Sequence, residues 1–253
     1  MKYLVGFLIA VAALLGAESA RAAIAHVVST TAGASAPGTT VTTSSVDTTG
    51  ANLLVVAVSY YGSANDPTLS DSKGNTWTGL TARESNGTSP AVRLYWCKPT
   101  SVGSGHTFTA AQAGSFPVVS MSAFSGAATS PYDQESGTAV ATGSTSYQPG
   151  SITPSENNCV LVTGVATAGT SHSVNSSFNA TATDNLASNH IGGGIAYKIQ
   201  TTAGAENPTW SWTTSTNRAA AMASFKASAN VINPLSSTIP GSGIDPLNRG
   251  PVQ

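Results

Sequence analysis

Asp71, Asn75 and Trp77 fall within one short stretch, "DSKGNTWT" (71–78), and are the first side chains in this sequence whose types and spacing could grip a ligand. Together with Asp66, Asp71 and Asn75 offer hard oxygen atoms of the kind that extracellular calcium sites collect six to eight at a time. The stretch lacks the repeated Asp-x-Asp-x-Asp-Gly series and its closing Glu, so calcium is the lesser expectation. The same residue types also build a tight strand connection. Gly74 can take positive φ, Asn75 tolerates it, and the Asp71 carboxyl can accept from backbone two residues ahead. A structural turn is the preferred reading, with Trp77 as a core or edge aromatic and no resident cofactor.

A second constellation is aromatic. Trp210 and Trp212 are two residues apart, so on a strand they share one face, and Tyr197 is a third ring that could join them. Exposed, such rings would stack on a sugar; turned inward, they are ordinary sandwich core. Cys97 and Cys159 sit in apolar strand-like runs, and the sequence leaves open one disulfide or two buried thiols. Neither has His or Cys neighbours at zinc spacing, so no metal site is expected.

The remaining groups give little support to an enzyme. His106 and His172 read as turn or edge residues, and His190, which precedes "IGGG" (191–194), could face either way. No Gly-x-Ser-x-Gly elbow occurs. Asp133 and Glu135 lie in "SPYDQES", which reads as a solvated loop and not as the opposed carboxyl pair of a glycosidase. Gly192-Gly193-Gly194 opens no helix and lacks a Lys, so a close backbone approach is preferred over a phosphate cradle.

Elements that would position these groups follow from the rest of the chain. It has 253 residues, only 8% charged, with a formal net charge of −1. No basic stripe exists, so nucleic acid is not an expected partner. "MKYLVGFLIAVAALLGAESARA" has a lysine start, an apolar run and a small-x-small end. Residues 1–22 are therefore expected to be a secretory signal peptide cleaved after Ala22, with no membrane segment once it is removed. In the remainder, short β-branched and aromatic runs alternate with Gly, Pro, Asn, Asp and Ser, without 3.6-residue periodicity. Strands are expected at Leu53–Tyr61, Ala91–Cys97, Pro117–Phe124, Cys159–Ala166 and Arg218–Phe225. Shorter ones are expected at Ala25–Thr30, Thr39–Thr43, Thr76–Ala82, His106–Ala110, Thr138–Thr142, Ser173–Phe178, Gly194–Ile199 and Thr209–Thr213.

A weak internal repeat runs through them. Asn52 matches Asn158, Tyr95 matches Tyr197, "HTFT" (106–109) matches "PTWS" (208–211), and "VVSMSAF" (118–124) matches "AAAMASF" (219–225). The fold class implied is all-β: one antiparallel, jelly-roll-like β-sandwich over residues 23–226. Its pseudo-repeat halves would be about 25–126 and 138–226; two tandem Ig-like sandwiches are the alternative. Residues 227–253, rich in Pro, Gly and Ser, are expected to be an extended tail.

The strings "DSKGNTWT", "VRLYWCKP", "GSGHTFT", "AFSG", "NPTWSWT" and "AAAMASFKA" together resemble a group of poorly characterised secreted and phage-associated bacterial β-sandwich proteins. The resemblance covers about residues 25–226. It implies a sandwich fold and an extracellular or virion setting, and carries no catalytic residues. The expected function is an exported, non-enzymatic structural or adhesive surface subunit, secreted or held at the cell surface, or else decorating a virion. Expected partners are further copies of itself, through strand edges or the C-terminal tail. A carbohydrate-binding module with glycans as partners is the alternative.

Overall fold

"LLVVAVSY" (53–60) and "CVLVTGVAT" (159–167) are apolar at nearly every position, and a strand of that kind needs a layer against each of its faces. The computed structural model supplies those layers. It describes residues 23–34, 40–61, 66–85, 90–111, 116–175, 177–184 and 191–229, all within one compact unit, Arg21–Ala229. Residues 1–22, where a signal peptide is expected, His190 and residues 230–253 lie outside the described residues.

The first half contains β1 (Ala25–Gly33), β2 (Thr40–Thr42), β3 (Leu53–Tyr60), β4 (Thr68–Asp71), β5 (Thr78–Gly79), β6 (Arg83–Glu84), β7 (Ala91–Cys97), β8 (Phe108–Ala111) and β9 (Val118–Ser125). The second contains β10 (Ala127–Tyr147), β11 (Cys159–Thr167), β12 (Ser173–Val174), β13 (Asn179–Asp184), β14 (Gly192–Gln200) and β15 (Trp210–Ala227). All ladders are antiparallel. One large sheet has the order β1-β9-β3-β7-β5, with β6 beside β7; the other has β10-β15-β11-β14-β13. A small sheet, β2-β8-β4, covers the first. Over the second, Tyr147 pairs with Trp210 and Trp210 with Val174, so the ends of β10 and β15 plus β12 repeat the small sheet's order.

Side-chain alternation then sorts the core into three layers. Leu53, Val55 and Ala57 meet Val160, Val162, Ala221 and Phe225 between the two large sheets. Leu54, Val56 and Val58 turn outward onto Phe108 and Ala110. Leu161, Val165 and Met222 turn outward onto Trp210, Trp212 and Phe178. The molecule is thus an all-β antiparallel sandwich built from two similar halves, as expected. Each half keeps its strands in its own sheets, and the halves pack back to back over a shared core.

Pairing registers correct two of the sequence matches. Leu53 pairs with Phe124, and Val160 with Phe225. Because Phe124 and Phe225 occupy equivalent places, Val160 is the counterpart of Leu53, one residue beyond the Asn52–Asn158 alignment. By the same ladders Tyr197 is the counterpart of Trp96, not of Tyr95. A one-residue slip moves every side chain to the other face, and Ser/Thr/Ala-rich strands do not resist it in sequence. The second half also begins earlier than expected. Residues 127–137 are strand, and β10 is the counterpart of β1: both carry a bulge at the same point, between His26 and Val28 and between Tyr132 and Gln134. The expected strands Thr209–Thr213 and Arg218–Phe225 are one continuous strand, and Thr138–Thr142 lies inside β10. Thr76–Ala82 keeps only β5, and Ser173–Phe178 only β12.

Asn52 holds the junction. Its amide donates to Ala127 O (2.9 Å) and accepts from Ala127 N (3.0 Å), acting as a substitute strand neighbour for the residue that opens the second half. Gly126, at φ +77°, makes the corner, and a Cβ there would run into the Ala23 carbonyl. The tail also starts later than expected: β15 runs to Ala227, and Ser228 N donates to Gly126 O at 2.8 Å. Edge strands are blunted throughout. β5 and β6 have two residues each, while β1, β10 and β13 are irregular in register.

Candidate functional site

The 71–78 stretch leaves the small sheet at Asp71, whose ladder partner is Phe108. Asp71 Oδ1 accepts from Lys73 N at 2.8 Å, closing the turn from within, and Gly74 follows at φ +73°. Trp77 Nε1 donates to Asp71 Oδ2 at 2.7 Å. His106 Nε2 lies 3.1 Å from Asp71 Oδ1, close but not aligned as a straight hydrogen bond, and both side chains are fully buried. Thr48 Oγ1 lies 2.8 Å from His106 Nδ1 on the ring's other side.

Asn75 ties this turn to the next loop. Its Oδ1 accepts from Thr100 N (2.8 Å) and Ser101 N (3.1 Å), and its Nδ2 donates to Ser101 O (3.0 Å) and Asp71 Oδ1 (3.2 Å). Lys73 Nζ caps Ser104 O at 2.9 Å. Burial lowers the His106 pKa, and the Asp71 contact partly opposes that shift. His106 therefore favours its neutral form.

Asp71, Asn75 and Trp77 are thus brought together, but by one another. Both Asp71 oxygens face N–H donors, whose positive ends would repel a cation. Asp66, the other acidic oxygen source, pairs instead with Arg93 Nη1 at 2.5 Å. Among the described residues no group of three or more His, Cys, Asp or Glu side chains could hold a metal ion. The stretch is a structural knot, and the calcium alternative finds no open coordination sphere here.

The aromatic platform is corrected. Trp210 and Trp212 do share a face, but it is the inward face of the outer layer, where they are 0% and 5% exposed. Trp210 Nε1 donates to Thr163 Oγ1 and Trp212 Nε1 to Ser144 O, so even their polar edges are occupied. Tyr197 belongs to a different layer, stacked on the His26 ring at 4.8 Å and edge-on to Phe124 at 5.2 Å. A related trio, Tyr132, Trp96 and Phe225, occupies the equivalent place across the shared core.

Cys97 and Cys159 are both buried and are not bridged to one another. Cys97 joins the layer outside the first large sheet, and Cys159 precedes the inward-facing Val160, so alternation turns it outward on the second. Two sheets separated by about 10 Å stand between them. Burial pushes the Cys97 thiol well above its usual range.

His106 and His172 prove to be buried, not turn or edge residues; His172 Nε2 lies 2.9 Å from Thr167 Oγ1. Asp133 and Glu135 lie in β10, half-buried, not in a solvated loop. Asp133 accepts from Ser155 N (3.0 Å), from the Ser155 hydroxyl and from Ser224 Oγ (2.9 Å), which together hold its carboxyl below its usual range despite burial. Glu135 accepts from Thr81 N at 3.1 Å. In the glycine run, a Cβ on Gly193 would strike Ser59 Oγ of the facing sheet, so the close-approach reading fits.

Among the described residues an open concavity also stands out, and sequence reading missed it. A polar groove of about 510 Å3 lies on the second half, lined by Thr138, Ser146, Tyr147, Gln148, Asn207 and Thr209. These residues meet because Tyr147 pairs with Trp210, a register that no local pattern announces. Gln148 Nε2 donates to Asn207 O (3.1 Å) and Thr209 Oγ1 (3.0 Å). Asn207 Oδ1 accepts from Gly150 N at 3.1 Å, and the Arg218 guanidinium covers the Tyr147 ring at 4.7 Å. No protein-family model matches this chain, nor does any curated protein or solved structure.

Proposed function

We propose that this protein is an exported, non-enzymatic structural or adhesive surface module, displayed at a cell surface or on a virion. The observation that carries the reading is the inward placement of side chains that could do chemistry. Asp71, His106 and His172 are consumed by contacts within their own halves, and Asp133 by Ser155 and Ser224. What faces outward is Ser-, Thr- and amide-rich and carries few charges, a surface suited to close neutral contacts. Two sandwiches fused over a common apolar core would form a stiff block for display.

Because the edge strands are short or bulged, self-association would use faces or the 227–253 segment in preference to strand addition. The test is sedimentation velocity of the full chain over a wide concentration range, joined to binding assays on whole bacterial cells. Concentration-dependent assembly or cell adhesion is expected. A strict monomer that adheres to nothing would overturn the reading.

A further inference from the structure

We infer that the groove beside Tyr147 is a binding site for a neutral saccharide. The inference deepens the adhesive reading above and rests on it. Every lining side chain is uncharged: hydroxyls from Thr138, Ser146, Tyr147 and Thr209, and amides from Gln148 and Asn207. Two of these groups are pre-aimed. The Gln148 amide is pinned through its Nε2 on Asn207 O and Thr209 Oγ1, which fixes the direction of its Oε1 acceptor. The Asn207 amide is pinned through its Oδ1 on Gly150 N, which fixes its two-proton Nδ2 donor. Among the described residues neither Gln148 Oε1 nor Asn207 Nδ2 has a hydrogen-bond partner, so the groove presents one oriented acceptor beside one oriented donor. Vicinal sugar hydroxyls, each donor and acceptor at once, complement such a pair.

Tyr147 supplies a half-buried wall whose hydroxyl likewise has no hydrogen-bond partner among the described residues. Its ring is covered by the Arg218 guanidinium, which donates to Thr142 O and is not among the residues that line the groove. A peptide would need an unpaired ladder or an apolar anchor pocket, and the groove offers neither. The low share of charge in the chain points the same way.

The experiment is saturation-transfer NMR and titration calorimetry of the full chain with neutral gluco-, manno-, galacto-, xylo- and N-acetylglucosamine oligosaccharides. Uronic and sulfated glycans and unrelated peptides form separate arms. The expected result is saturable binding of at least one neutral oligosaccharide, weakened tenfold or more by Ser146→Trp, which fills the groove from an exposed position. Thr138→Arg should have the same effect, while Tyr61→Ser on the other half leaves binding unchanged. Absence of binding to every neutral sugar, binding only to charged glycans or peptides, or affinity indifferent to both groove-filling variants would each overturn the assignment. If the groove fails while the chain still assembles or adheres, only the site is lost and the surface-module reading stands.

Discussion

If Asp71 is the knot that closes the 71–78 turn, removing its carboxyl should cost stability and leave calcium irrelevant. In Asp71→Ala one buried donor loses its acceptor, Trp77 Nε1 in a partly buried side chain, and the fully buried His106 Nε2 loses its 3.1 Å polar neighbour. Lys73 N and Asn75 also lose contacts, but Asn75 keeps Ser101 O, and the turn backbone can reach water. At about 1–3 kcal/mol for a stranded buried donor, the loss should be about 2 kcal/mol. That is a large share of a total of about 5–15 kcal/mol for an ordinary domain. At roughly 2–4 °C per kcal/mol for a unit of this size, Tm should fall by roughly 4–8 °C. Asp71→Asn keeps the shape but turns an NH2 toward a donor, so it should fall between the wild type and Asp71→Ala. Urea and thermal unfolding, each run with calcium and with chelator, would measure this. A loss below about 1 kcal/mol would refute the reasoning. So would a calcium-dependent rise in wild-type Tm that Asp71→Ala abolishes.

The junction gives the next expectation. Asn52→Ala should cost about 2–4 kcal/mol in urea unfolding, because both Ala127 main-chain groups lose a partner in a residue only 3% exposed. Gly126→Ala should destabilise more than an ordinary surface exchange, since positive φ and the Ala23 carbonyl both oppose the methyl; unfolding midpoints would show it. Native-state alkylation read by mass spectrometry should label neither Cys97 nor Cys159, and denaturation without reductant should expose two thiols. For pH, His26 and His106 both have folded-state values lowered by burial, so the unfolded chain binds more protons as pH falls. Stability should therefore be fully present above about pH 6.5 and decline on acidification below it. His26→Phe should flatten part of that slope in unfolding curves taken across the range.

What the sequence made legible tracks how strongly each feature is written locally. Strands buried on both faces, β3, β7, β9 and β11, stood out because unbroken β-branched runs admit little else. β13 did not, since Asn179–Asp184 reads "NATATD" and is strand only because β14 pairs with it. In the 71–78 stretch the residue types disclosed a turn. His106, which completes it from 35 positions away, looked like an edge residue, because burial of a lone histidine leaves no local mark. The groove was least legible of all. Its walls come from segments about 60 residues apart in the chain and are neighbours through the β10–β15 ladder alone.

The corrected register also explains why the two halves behave as one body. With Leu53 matched to Val160 and Trp96 to Tyr197, equivalent side chains fall on the same side, and the shared core acquires an internal symmetry. The ring at the first bulge, His26, stacks on Tyr197 of the second half, and the ring at the second bulge, Tyr132, stacks on Trp96 of the first. Each half thus lends an edge aromatic to the other's sheet. Between those stacks the sheets meet through small residues: a Cβ on Gly164 would lie 2.8 Å from Ala57 Cβ. A surface left that flat and apolar would not stay exposed in water. Neither half could keep its large sheet folded alone without another apolar layer to cover it, so unfolding of the pair should be a single transition. Separate transitions in calorimetry, or a stable monomeric half, would show that the shared core does not couple them.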